Sequence, residues 1–356
     1  NTLDYSVELL DIGEDGVRSR VNLPIDDATV KEKRGEVYVS LGRNLSPALS
    51  IDSGVNYEFS ILRVRGDAIV DRSLKFLKPN LAIDWQAGNG WHARLSARRT
   101  VAQLNFYDFV SFAELSNDRV NAGNAELLPQ RTWELRATVD RPILGDGLIK
   151  LDLGIDRVSM LQDLILTEDG FSAPGNIGTG KRRFARLTLD APLSSLGLTG
   201  VTLRAHGQIQ STRVNDPISG KTRNFSDFFP DWEWRVEVRR DAGAFSYGAT
   251  VEHRDDFSFF RANEIDINFN GGAYVTAFVE YRINPRTSVT FDVDNLFSTH
   301  GVRERLFFAP NRSAPEPNER EYRDRNRHRV FGLSLKHSFG GGGGGGGESS
   351  GVAQPN

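Results

Sequence analysis

Leu49-Ser50-Ile51-Asp52-Ser53-Gly54-Val55-Asn56-Tyr57-Glu58-Phe59-Ser60-Ile61 alternates without a slip. Leu49, Ile51, Ser53, Val55, Tyr57, Phe59 and Ile61 share one face of an extended segment, and Ser50, Asp52, Gly54, Asn56, Glu58 and Ser60 share the other. Successive side chains of a strand point to opposite faces, so this stretch has one oily side and one wet side.

The same period recurs along the chain. Trp133, Leu135, Ala137 and Val139 alternate with Glu134, Arg136, Thr138 and Asp140, and Phe245, Tyr247, Ala249 and Val251 with Ser246, Gly248, Thr250 and Glu252. The longest case runs from Ile265 to Ile283; as one strand it would extend roughly 60 Å. About fourteen strands are predicted, at 3–12, 30–44, 48–62, 74–86, 91–103, 132–141, 148–161, 182–191, 199–211, 232–240, 245–256, 265–283, 287–298 and 327–339. Short connections (43–47, 87–90, 142–147, 241–243, 284–286) alternate with long polar ones (13–29, 63–73, 104–131, 162–181, 212–231, 299–326). Transmembrane barrels have this asymmetry, with tight turns on the periplasmic side and long loops outside.

Composition narrows the class. The 356 residues contain no apolar run near the roughly 18 a spanning helix needs, which excludes a helical membrane protein but not a barrel. The absence of cysteine excludes disulfide scaffolds and thiolate chemistry. A net charge of -3 gives no global pull toward nucleic acid, and none is expected as a partner. A soluble sandwich or propeller is the alternative all-β reading. Against it stand strands longer than the usual ~5–6 residues and aromatics near strand ends (Tyr57, Phe59, Trp85, Trp91, Trp133, Trp232, Trp234, Tyr281), where membrane barrels carry girdles. Charged residues on every inward face call for a wide, wet bore.

Three stretches resemble one family. The segment Arg329–Phe339, with Phe331, Leu333, Leu335 and Phe339 on one face, resembles the C-terminal strand of bacterial outer-membrane proteins. Val293-Asp294-Asn295-Leu296-Phe297 resembles the Asn-Leu-Phe motif near the end of TonB-dependent outer-membrane receptors. Gly123-Asn124-Ala125-Glu126-Leu127-Leu128-Pro129-Gln130 is similar to their Gly-Asn-Pro-x-Leu-x-Pro-Glu loop, with Ala125 and Gln130 in place of Pro and Glu. Ser298 stands where an acidic residue is usual after the Phe, and a glycine run follows the terminal aromatic.

The resemblance implies a transmembrane antiparallel β-barrel of about 22 strands around an N-terminal plug, importing a small-molecule ligand such as a siderophore complex with energy from the TonB complex. About fourteen strands, residues 1–339, would be the C-terminal portion of that barrel. The plug and its TonB contact would then precede Asn1, and the edges near 3–12 and 327–339 would stay unpaired within this chain. Gly340–Asn356 reads as a glycine-rich disordered tail. Outer-membrane lipid and lipopolysaccharide are the expected surroundings, and no cofactor is expected. A complete passive pore of about fourteen strands is the alternative; an outer-membrane hydrolase built on Ser298 and His300 is another.

Ligand contact is expected in the external loops and upper lumen: Phe106, Tyr107 and Phe109 in the run Asn105–Phe112, with Arg94 and Arg98 on the strand leading into it. Aromatics can stack on a ligand, and guanidinium can hold an anionic chelate. Other motifs fall short. Gly175–Arg182 nearly spells a phosphate-binding loop, but Arg182 occupies the magnesium-holding Ser/Thr position, so an external loop is the reading. Asp11, Asp15 and Gly16 begin like a calcium loop, yet Asn22 replaces the closing Glu. The six histidines have no close metal spacing, and no metal site is expected.

Overall fold

The computed structural model describes residues 1–114, 119–226 and 229–339; the predicted tail, 340–356, lies outside the described residues. Fourteen strands follow one another in a single sheet. They are β1 (Thr2–Ser6), β2 (Asp27–Ser46), β3 (Leu49–Gly66), β4 (Val70–Gln86), β5 (His92–Val101), β6 (Arg131–Ile143) and β7 (Gly147–Ser159). There follow β8 (Thr179–Pro192), β9 (Val201–Asn215), β10 (Trp232–Ala242), β11 (Phe245–Arg254), β12 (Tyr274–Asn284), β13 (Thr287–Asp294) and β14 (Val330–His337). Each pairs antiparallel with its neighbours in chain order, and a two-residue strand, Thr222–Arg223, adds to the end of β9.

The alternation sets which face is covered. On β3, Tyr57, Phe59 and Ile61 are 41–46% exposed, whereas Glu58 and Ser60 between them are 5% and 3% exposed. The apolar face therefore points away from the protein and the polar face inward, the reverse of a soluble sandwich. Leu135, Leu151, Leu153, Ile155, Leu187, Ile209, Phe291 and Leu333 continue this exposed band around the sheet. A contiguous apolar surface of this size needs a non-aqueous cover. No helix among the described residues is long and apolar enough to cross a membrane.

Connections alternate as expected, with two corrections. The long loop predicted at 63–73 is a tight hairpin: β3 runs to Gly66 and β4 starts at Val70. Leu62 and Val64 are 0% exposed there, so the alternation continues into packed protein while Arg63 and Arg65 stay outward in water. The single strand predicted at 265–283 is broken at Gly271-Gly272-Ala273. Glu264–Asn270 joins a separate four-stranded sheet with Phe257–Phe260, Gly301–Phe307 and Glu319–Arg325, and only β12 belongs to the main sheet. Alternation stays in phase across the break, so periodicity alone cannot reveal the change of partners.

The packed cores lie at the long-loop end. Ile25, Ala28, Val30, Leu62, Val64, Phe109, Val110 and Ala125 form one, and Val158, Leu161, Ile177, Val214 and Phe225 another. Among the described residues β1 pairs only with β2, and β14 only with β13, so the sheet is open between them.

Candidate functional site

The inward face of β2 to β7 carries rows of cross-strand ion pairs. Lys78 reaches Glu58 at 2.7 Å and also Glu36, and Arg98 pairs with Glu134 at 2.8 Å. Arg136 pairs with Asp156 at 2.5 Å, and Arg94 with Asp84 at 2.7 Å. Residues opposite one another on a sheet face lie within side-chain reach, which is why strictly alternating charge produces such rows.

Cations outnumber carboxylates in the middle of this face. A cavity of about 750 Å³ is lined by Lys78, Arg94, Arg98, Arg136, Lys150 and Arg186, with Asp152 its carboxylate among the described residues. Its opening follows from a splay in the sheet: the ladder between β4 and β5 stops at Asn80 opposite Arg98. Next to it, Pro79 has no N–H to continue the pairing. Arg99 bridges the gap by donating to the Leu77 carbonyl at 3.2 Å.

Phe184 stands at one wall, with the guanidiniums of Arg182, Arg136 and Arg186 at 4.7, 4.9 and 5.6 Å from its ring centroid. The ring lies across Gly154, where a Cβ would come within 2.2 Å of it, so any side chain at that position has to displace the ring. A second cavity of about 550 Å³ shares Arg136 with the first and includes the loop residues Phe225, Phe229 and Phe259. Together these walls suit a ligand that is anionic and partly flat.

Two buried ion-pair clusters fasten the loops. Asp216 meets Arg312 at 2.6 Å and Arg223 at 2.5 Å, and Arg223 also meets Asp163 at 2.9 Å. Phe260 packs against both arginines, 4.2 Å from Arg223 and 5.5 Å from Arg312. Burial pushes the Asp216 carboxyl up, but Arg312, the Ser219 N–H and Arg223 outweigh it and bring its pKa down to about 2. In the second cluster Glu264 pairs with Arg305 at 2.6 Å and Asp266 with Arg303 at 2.5 Å, while Arg119 bridges to both carboxylates. Glu264 and Asp266 are likewise held low: burial opposes this, and the neighbouring guanidiniums prevail.

Of the residues expected at the site, Arg94 and Arg98 share the main cavity. Phe106, Tyr107 and Phe109 form a short turn capped by Asn105, whose side chain accepts from the Tyr107 N–H at 3.2 Å. Phe109 is 0% exposed in the first core, Phe106 packs against that core, and Tyr107 is 57% exposed beside Tyr5. In this structure Phe109 braces the loop rather than facing the cavity. Arg136, Arg182, Arg186 and Phe184 were not among the expected site residues; their signal was their place on the polar side of alternating strands.

The motifs take structural places. Asn124 donates to the Pro174 carbonyl at 2.8 Å, and Asn176 accepts from the Leu128 N–H at 2.8 Å while donating to the Leu128 carbonyl at 2.9 Å. The glycine-asparagine loop is thus tied to the phosphate-loop look-alike, Gly175–Arg182, whose first two residues end a strand, Ser172–Asn176, and whose last four open β8. Asn295 is 1% exposed with φ 52°, and its side chain accepts from the Thr299 N–H at 2.7 Å, closing the turn after β13. His300 faces Asp324 at 2.9 Å. Asp15 accepts from the Val17 N–H at 3.0 Å within a tight hairpin. Among the described residues no group of His, Asp and Glu is arranged to hold a metal ion.

No protein-family model and no curated protein matches the chain. Solved structures do. The FrpB iron transporter from Neisseria meningitidis superposes with a TM-score of 0.62 at 12% identity, over 88% of this chain and 46% of that one. The copper transporter OprC gives 0.62 at 12% identity, over 92% and 50%. The ferric yersiniabactin uptake receptor FyuA from Yersinia pestis gives 0.62 at 11% identity, over 88% and 46%. This chain spans about half the length of those it matches. Its fold is that of the β-barrel of TonB-dependent outer-membrane receptors.

Proposed function

We propose that residues 1–339 are the C-terminal portion of the barrel of an outer-membrane importer. Its ligand is a small anionic chelate, and its energy comes from the TonB complex through a plug region outside this chain. The observation that carries the reading is the pairing of an uncovered apolar outer face with a cation-rich inner cavity beneath clamped loops. An apolar band of this kind is covered by outer-membrane lipid. The inner cavity offers guanidiniums, which take carboxylate or catecholate oxygens through paired hydrogen bonds. The iron and copper transporters with this fold are consistent with a metal chelate as cargo.

The test is uptake of iron-loaded citrate, an anionic chelate, by cells carrying the full-length protein or the double variant Arg94→Ala/Arg98→Ala. Loss of two charge-assisted contacts is expected to weaken binding by about tenfold or more. Uptake unchanged in the double variant removes these two residues from the site. Uptake that persists after the proton-motive force is collapsed would favour a passive pore.

A further inference from the structure

A third cavity, of about 410 Å³, lies on the inward face of β9 to β11 and shares no wall residue with the two above. His206, Glu233, Arg235, Glu252 and Arg254 line it, joined by Asn270, the last residue of a loop-sheet strand. Two carboxylates accompany two guanidiniums here, so the wall has no surplus of either charge, unlike the cation-rich main cavity.

The ladder sets these charges in two neighbouring rows. Arg235 stands opposite Glu252, and their side chains pair at 3.7 Å. Glu233 stands opposite Arg254 in the next row, yet these two form no ion pair. Directly opposed residues lie within side-chain reach, so this row has the means to close as its neighbour does. Instead Arg254 turns onto the Phe257 ring, 4.3 Å from its centroid, and its buried Nη1 has no hydrogen-bond partner among the described residues. On its other side Glu233 faces Gln208, whose amide oxygen accepts from Arg186 at 2.6 Å. Glu233 is half-buried, and among the described residues its carboxylate has neither an ion pair nor a hydrogen bond. The side-chain amide of Asn270 is also unbonded among them. Half-buried charges left apart in this way are costly, and a ligand that bridges them offsets the cost.

We infer that this cavity is a binding site for a zwitterionic α-amino acid with a polar side chain. The ligand carboxylate takes the open Nη1 edge of Arg254, its ammonium sits on Glu233, and an amide on its side chain meets Asn270. An ammonium and a carboxylate on one carbon match opposite charges on facing residues about 5 Å apart. The site stands on the wall geometry of three strands and is independent of the chelate cavity.

The test is equilibrium binding of radiolabelled L-glutamine to the full-length protein purified in detergent. Wild type is expected to bind it saturably. Glu233→Gln and Arg254→Met each remove one charge-assisted contact and should weaken binding by about tenfold or more. N-acetyl-L-glutamine, which lacks the ammonium, and L-glutamine amide, which lacks the carboxylate, should fail to compete. Iron-loaded citrate should not displace the label.

No saturable binding by wild type overturns the site, as does wild-type affinity in either variant or full competition by either blocked analogue. Displacement by iron-loaded citrate would put L-glutamine in the main cavity and overturn it as well. If a variant loses heat-modifiable migration on gels, the blocked analogues decide alone.

Discussion

Asp216 and Arg312 are 96 positions apart in the chain, yet their side chains meet at 2.6 Å with 0% and 3% of their surfaces exposed. With Arg223 and Asp163 this contact joins three long connections of the barrel into one roof over the inner face.

Arg312→Ala should loosen that roof without unfolding the sheet. Orphaning a buried charge usually costs roughly 3–5 kcal/mol. Arg223 remains on Asp216, so about 2–3 kcal/mol is expected here, felt as local opening. Limited proteolysis should cut the loops 160–178 and 216–231 faster in the variant, while heat-modifiable migration is kept. Unchanged cleavage would show that the contact does not hold the loops.

Acid should open the same roof. The folded Asp216 carboxyl, at about 2, lies below its unfolded value of ~3.9. A lowered folded pKa contributes stability that is fully present above the unfolded value and is lost as pH falls through the folded one. Loop protection against hydrogen exchange should therefore hold above about pH 4 and fall between about pH 4 and pH 2. Asp216→Asn should remove this step from the profile.

Leu153→Arg tests the outer face. Leu153 is 44% exposed between Leu151 and Ile155, in the middle of the apolar band. An arginine at the mid-plane of a membrane barrel costs about 2–4 kcal/mol, so the variant should reach the outer membrane in reduced amount. A solvent-facing Leu153 would tolerate the change with no loss of assembled protein.

Gly154→Leu tests the inner face. The side chain would have to displace the Phe184 ring, which lies within 2.2 Å of a Cβ there, and with it the three guanidiniums around the ring. Uptake of an anionic chelate should fall while assembly persists, because the change is confined to one wall of the cavity. Wild-type uptake in an assembled variant would place the ligand elsewhere.

Much of this architecture is legible in the sequence because a barrel strand writes its two faces into alternate residues. Leu49–Ile61 and Trp133–Asp140 show it directly, and the fourteen predicted strands each have a counterpart in the main sheet. Period two is blind to partner exchange, which is why Ile265–Ile283 reads as one strand although its first half belongs to a loop sheet. The roof is not legible: Asp216 and Arg312 are 96 positions apart, and no local pattern announces such a pair. Phe109 shows the same limit from the other side, since an aromatic in a polar loop reads as exposed until the core that covers it is seen.

Single cysteines test the central claim most directly, because the chain has none of its own. Leu153→Cys and Leu187→Cys probe the outer face, and Thr138→Cys and Arg186→Cys the inner one. In outer membranes, the account predicts that a charged, water-soluble maleimide labels the inner pair and spares the outer pair, while a lipid-soluble maleimide labels the outer pair. Rapid labelling of Leu153→Cys and Leu187→Cys by the charged reagent would contradict a lipid-facing band and, with it, the importer reading.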